Sequence, residues 1–226
     1  MREYKYVRPA DIEKESMRII EGELKERGIE VPEENLTVVK RVIHTTADFD
    51  YGENLKFTEN AVQRSIEALR KGDRIFITDT NMALAGISKP SLAKLDAQAI
   101  CYMADPEIMQ QAKAEGTTRA YASMRRGASE HPDAIFVSGN APTALIAISE
   151  MIREGLRPSL VIAVPVGFVN VVESKEELFS LCAEKGIPAI AALGRKGGSN
   201  VAASICNAIL YQAVDMVDPL KRGWQK

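Results

Sequence analysis

Over residues 1–72 apolar side chains recur at every third or fourth position. In the segment 12–27, Met17, Ile20 and Leu24 share one face with charges on the others, and Gly28 ends the pattern. That is the period of an amphipathic helix and a common stop for one. Pro32 opens a second helix, where its missing N–H would have been unpaired anyway. Glu33 and Glu34 complement the positive end of that helix, and Leu36, Val39, Val42 and Ile43 form its inner stripe. His44 falls in its last turn or just beyond. Thr58 is placed to cap a third helix, which stops at Lys71 and Gly72.

Past residue 72 the rhythm changes. Short β-rich apolar runs at 74–78, 99–102, 134–137, 160–164 and 189–193 alternate with helical patterns at 106–114, 143–153, 175–184 and 200–213. Such alternation predicts βαβ units, and strands that read as continuous apolar runs predict a sheet buried on both faces. The expected fold is α/β: a doubly wound, mostly parallel sheet flanked by helices, with an N-terminal helical layer. One domain is expected over 1–226, with a mainly helical part at 1–72, βα units at 73–214 and a C-terminal tail at 215–226.

Composition narrows the function classes. Apolar residues make up 46% of the chain and charged ones 27%, a balance that can bury a core. A net charge of −2 supplies no basic field for nucleic acid. No apolar run approaches the length of a bilayer crossing, and the N-terminus lacks the apolar stretch of a secretory signal, so no membrane association is expected. Cys101, Cys182 and Cys206 are scattered and odd in number, which fits reduced thiols in a cytoplasmic protein. No His, Cys or carboxylate cluster has ligand spacing, so no metal site is expected.

In open parallel sheets ligands bind outside the carboxyl ends of the strands. The last strand exit, 194–199, carries Arg195, Lys196, Gly197, Gly198 and Ser199 just before a helix. Free amides, two cations and a helix N-terminus together read as a cradle for a carboxylate or phosphate. The loop matches neither a Walker A motif nor GxGxxG. The exit at 138–143 aims Asn140 toward the same crevice, and Asn81 stands at a third polar rim with Asp79 and Thr80; both read equally well as turn and cap chemistry. Arg119 and Arg126 are further candidates for carboxylate contacts. Arg41 and His44 are three residues apart and so share a helix face. A histidine beside a fixed cation can donate a proton or hydrogen bond to an anionic ligand, or can simply complement a helix C-terminus.

These same residues resemble the precorrin-8X methylmutase family, also called cobalt-precorrin isomerases. The likeness runs almost end to end, through 4–9, 12–16, 41–51, 79–82, 118–120, 139–145, 165–169, 173–175 and 194–199. Each motif alone is weakly specific, and the ordered set is strong. The resemblance implies a homodimeric isomerase of cobalamin biosynthesis that needs no cofactor or metal for its chemistry. It implies migration of a methyl group between adjacent carbons of ring C, on precorrin-8 or cobalt-precorrin-8, giving a corrin that the next pathway enzyme could take by hand-over. The family's catalytic histidine carries over onto His44 as proton donor or acceptor, and its substrate-contacting serine and arginine onto Ser16 and Arg41. The segment 45–51 is more similar to members of the anaerobic, early-cobalt route than to those of the oxygen-dependent one.

Two rival readings make distinct demands. A nucleotide-dependent transferase or dehydrogenase would need a glycine fingerprint after an early strand, where this chain has Asp79, Thr80, Asn81 and Met82. A non-catalytic corrin carrier would show the same binding residues, and turnover separates it from an enzyme.

Overall fold

The computed structural model describes residues 8–223. The chain opens with helices α1 (Pro9–Glu26), α2 (Glu33–Thr46) and short α3 (Tyr51–Asn54), then strand β1 (Leu55–Phe57) and α4 (Ala61–Arg70). The βα units follow: β2 (Ile75–Thr78), α5 (Asn81–Gly86), α6 (Lys89–Lys94), β3 (Gln98–Ile100), α7 (Pro106–Ala114), α8 (Arg119–Glu130), β4 (Ile135–Ser138) and α9 (Pro142–Arg153). β5 (Leu160–Ala163), α10 (Val171–Glu184), β6 (Ala189–Ala192) and α11 (Ser199–Ala213) complete them. Single 3-10 turns lie at Tyr102–Ala104 and Pro219–Arg222. The resembling residues 4–7 lie outside the described residues.

The sheet order is β1-β6-β5-β4-β2-β3, parallel throughout except for β1, which runs antiparallel to β6. This is the expected doubly wound α/β sheet. Alternate strand residues feed two apolar cores: Ile135, Val137, Leu160, Ile162 and Ile190 pack under α1, α2, α4 and α11. Phe136, Val161, Ala163, Ala189 and Ala191 pack under α7, α8, α9 and α10. Two-sided burial is why these strands read as unbroken apolar runs.

Local departures from the sequence pattern have physical causes. β1 is an edge strand of only three residues, Leu55, Lys56 and Phe57, too short for alternation to register. α5 and α6 are six residues each, less than two turns. Thr58 caps no helix, because α4 starts after Asn60. Its hydroxyl instead donates to the Ile187 carbonyl at 3.1 Å and accepts the Ala189 N–H at 2.8 Å, pinning the start of β6. The C-terminal segment, read as a tail, folds back as the Pro219–Arg222 turn against α1.

Candidate functional site

The order of strand addition reverses between β2 and β4, since β3 lies on one side of β2 and β4, β5 and β6 follow on the other. That switch point is where a crevice forms at the strand exits. It is organised by Asp79, a fully buried carboxylate just past the end of β2. Asp79 accepts N–H bonds from Gly139, Asn140 and Ala141 at 2.8, 2.8 and 2.7 Å, and a hydroxyl bond from Ser138 at 3.0 Å. The exit of β4 is therefore folded around a side chain from β2, and Asn140 stands exposed at its tip.

The start of α11 closes over this junction. The Thr80 hydroxyl lies 2.8 Å from that of Ser199 and caps α5 by accepting the Ala83 N–H at 3.0 Å, with exposed Asn81 opening that helix. Gly139 has no room for a side chain: a Cβ there would stand 2.8 Å from the Ser199 Cα. The loop 194–199 is tight for the same reason. A Cβ on Gly197 would fall 2.2 Å from the Val164 carbonyl oxygen, and Gly198 sits at φ +139° with its N–H bonded to that same oxygen at 2.9 Å. Beneath the loop, buried Lys175 donates to the Gly194 and Lys196 carbonyls at 2.9 and 2.8 Å. Burial pulls its pKa down to about 8.

The basic side chains of this loop have partners within the chain. Lys196 lies 2.5 Å from Asp48 and 2.6 Å from Asp50, and these hydrogen-bonded ion pairs raise its pKa. Arg195 is exposed, with its guanidinium 5.4 Å from the centre of the Phe168 ring. Phe168 and Val169 after β5 and Met82 after β2 are also exposed, so the strand exits have an apolar rim.

The Asp48 and Asp50 pairs tie this loop to the end of α2, which carries His44. α2 stops at Ala47, a left-handed residue at φ +54° whose N–H bonds the Ile43 carbonyl at 2.7 Å. Val42 and Ile43 face the core, which leaves His44 pointing to solvent. Burial of part of the ring, followed by the charge of Arg41, holds the His44 pKa below its ordinary value, with Glu13 opposing and Arg222 assisting. One turn back, Arg41 Nη2 donates to buried Glu13 at 2.7 Å, and Arg222 reaches the same carboxylate oxygen from the C-terminal turn. Burial pushes Glu13 up, but its hydrogen bonds and charge pairing with the two arginines outweigh this and lower its pKa. Ser16 lies on α1 in the same layer, its hydroxyl donating to the Ile12 carbonyl at 2.8 Å.

The residues singled out from sequence thus fall into three groups. Asn81, Asn140, Gly197, Gly198 and Ser199 meet at the switch point, with Arg195 and Lys196 beside them. Ser16, Arg41 and His44 share the α1–α2 layer, linked to the first group through Lys196. Arg119 opens α8 in the opposite layer, exposed, with its Nη1 3.5 Å from the Met103 carbonyl oxygen. Arg126 is held by Asp105, Glu107 and Glu130. Sequence reasoning passed over Glu13, Lys175 and Arg222 and gave Asp79 only a rim position. For two of these a signal existed: Glu13 stands on the inner stripe with Ala10, Ile20 and Leu24, and Lys175 on that with Val171, Leu178 and Cys182. A charge at an apolar position marks a buried ion pair or clasp.

Comparison with known proteins agrees across sequence and structure. The CbiC precorrin-8X methylmutase family model matches residues 11–212. A cobalt-precorrin-8 methylmutase of Salmonella typhimurium is 47% identical, over 77% of this chain and 80% of its own. Another, of Priestia megaterium, is 41% identical over 90% of this chain and 88% of its own. A precorrin-8X methylmutase of a Sinorhizobium species is 32% identical over 92% and 98%. The crystal structure of a precorrin-8X methylmutase from Thermus thermophilus superposes with a TM-score of 0.79 at 36% identity, covering 90% of this chain and 98% of that one.

Proposed function

This chain belongs to the precorrin-8X methylmutase family and is an isomerase of cobalamin biosynthesis, and from that premise we propose that it moves a methyl group between adjacent carbons of ring C with His44 as the proton donor and acceptor. The observation that carries this role is His44 itself: an exposed imidazole in the last turn of a helix, directly after buried Val42 and Ile43, with its pKa held low. A neutral imidazole has one N–H and one free lone pair, so it can donate to or accept from the macrocycle as charge redistributes during the shift. An interaction that strengthens only as that charge develops accelerates the step. Nothing leaves the substrate: one carbon–carbon bond breaks, another forms beside it, and the double bonds rearrange.

The substrate we propose is cobalt-precorrin-8, and the product a corrin available to the next pathway enzyme. The relatives named for the cobalt form run from 36% to 47% identity, while two curated relatives named precorrin-8X methylmutase are 32% identical and the Thermus thermophilus structure of that name is 36% identical. The acetate and propionate groups of such a ligand suit amide-rich strand exits and dispersed cations. Ser16, Arg41, Asn81, Arg119, Asn140 and the loop 194–199 are the proposed contacts, in a protein acting as a homodimer.

His44→Asn tests the role. Turnover of the cobalt-precorrin is expected to disappear, while a visible-absorbance titration with a stable corrin, hydrogenobyrinic acid or its cobalt form, still gives a stoichiometric spectral change. A variant that keeps most of its turnover removes His44 from the chemistry.

A further inference from the structure

We propose that the loop 194–199 takes a carboxylate of the ligand on the N–H groups of Arg195 and Gly197, and that buried Lys175 is the positioning residue that orients and polarises these amides from beneath. The inference deepens the proposed function and rests on it.

Lys175 lies on the inner stripe of α10 with none of its surface exposed. A buried ammonium ordinarily has a carboxylate partner. Among the described residues none pairs with this one. The charged groups around it are turned elsewhere. β5 and β6, packed against α10, carry no charge. On α9, Arg153 meets Glu177 and Glu150 meets Tyr121. On α10, Glu173, Glu176 and Glu177 are exposed, Glu184 meets Lys185, and burial raises the pKa of the Cys182 thiol. In the loop, Lys196 is held by Asp48 and Asp50, and Arg195 lies over Phe168.

The ammonium bonds instead to the Gly194 and Lys196 carbonyls, at 2.9 and 2.8 Å. A trans peptide sets its C=O and N–H on opposite sides. With those two carbonyls turned onto Lys175, the N–H groups of the same peptide units, those of Arg195 and Gly197, turn away from it. Neither has an acceptor among the described residues, whereas the adjacent Gly198 N–H is bonded to Val164. An ammonium on the carbonyl side polarises the peptide and makes its N–H a stronger donor. Two such donors, backed by a positive charge, fit a carboxylate, and the acetate and propionate groups of a corrin supply one. The free protein thus holds an ammonium with no counter-ion, and the ligand brings it.

Proton linkage provides the test. The Lys175 pKa of about 8 in the free protein rises when an anion binds over it. Below pH 8 the ammonium is present with or without ligand and affinity is full; above it, binding must take up a proton. Visible-absorbance titration with hydrogenobyrinic acid is therefore expected to show wild type binding about tenfold more weakly at pH 9 than at pH 7. Lys175→Met is expected to bind weakly at pH 7 and no more weakly at pH 9, a comparison that removes every other group titrating in that window. A lysine that only shaped the loop would still donate both bonds as a neutral amine, and wild-type affinity would stay flat. Equal wild-type affinity at the two pH values overturns the proposal, as does a slope that survives in Lys175→Met. If that variant does not fold, calorimetry of wild type at pH 8.5 in two buffers of different ionisation enthalpy is expected to show uptake of roughly three-quarters of a proton per corrin, and no uptake overturns the proposal equally. Failure of the functional reading looks different, as no spectral change at either pH, and takes this inference with it.

Discussion

Replacing Asp79 by Ala removes the acceptor around which the exit of β4 folds, and the structure allows the loss to be apportioned. The Gly139 N–H is buried and has no route to water, so leaving it unpaired carries the full penalty of about 1–3 kcal/mol. The Asn140 and Ala141 N–H groups are partly buried and can turn toward solvent, each losing the net value of one hydrogen bond, about 1 kcal/mol. The Ser138 hydroxyl keeps a second acceptor, the Ala141 carbonyl at 3.1 Å, and contributes little. The sum is about 3–5 kcal/mol, or a fall in Tm on the order of 10 °C for a chain of this size. Urea unfolding followed by circular dichroism measures it, with Asp79→Asn, which keeps one acceptor oxygen, expected to lose less. A loss below about 1 kcal/mol in Asp79→Ala would refute the claim that this carboxylate organises the loop.

Two further outcomes follow from the same geometry. Gly197→Ala must push backbone against backbone and is expected to lose roughly 3 kcal/mol along with corrin affinity. Gly194→Ala, with positive φ but open space, should lose only about 1 kcal/mol, so equal losses would sink the packing argument. Lys175 has its pKa lowered to about 8 by burial, so between there and its ordinary value of 10.5 the unfolded chain binds the proton that the folded chain has released. Stability due to this group therefore rises with pH across that window, by up to about 3 kcal/mol. Comparing wild type with Lys175→Met in urea at pH 7, 9 and 10.5 isolates it, and a difference that stays flat with pH contradicts the assignment.

The fold was legible because its signals are redundant. Each buried strand is a run of β-branched and apolar residues bounded by polar turns, and the long helices repeat their stripe over three or more turns. The elements that escaped, β1, α3, α5 and α6, are too short to repeat their own pattern: three residues in the strand and less than two turns in each helix. At the site, the glycines and polar exits stood out because they interrupt apolar runs. What the interruptions are for did not, because it depends on partners far away in the chain. Lys196 meets Asp48 and Asp50 across about 150 positions, and Glu13 meets Arg222 across 209. Local spacing carries no trace of such pairs. The residues misjudged, Glu13, Lys175 and Asp79, are those whose charge is consumed inside the molecule, where burial and not type decides their role.

That consumption has a consequence for how His44 is held. On one side of it, one turn back, Arg41 is locked by Glu13, Arg222 and Tyr211. On the other, just past the helix end, Asp48 and Asp50 grip Lys196 of the loop after β6, and that loop is clasped from below by Lys175. The last turn of α2 is thus pinned at both ends by charges from elsewhere in the chain, while the histidine between them is left open to solvent. An exposed side chain on an unpinned helix end would fray with it. Placement within a few tenths of an ångström is what a proton donor needs, and here it comes from ion pairs that never touch the imidazole. Disturbing Asp48 or Asp50, neither a proposed contact, should therefore lower kcat more than corrin affinity, even though both present themselves as partners in ordinary salt bridges.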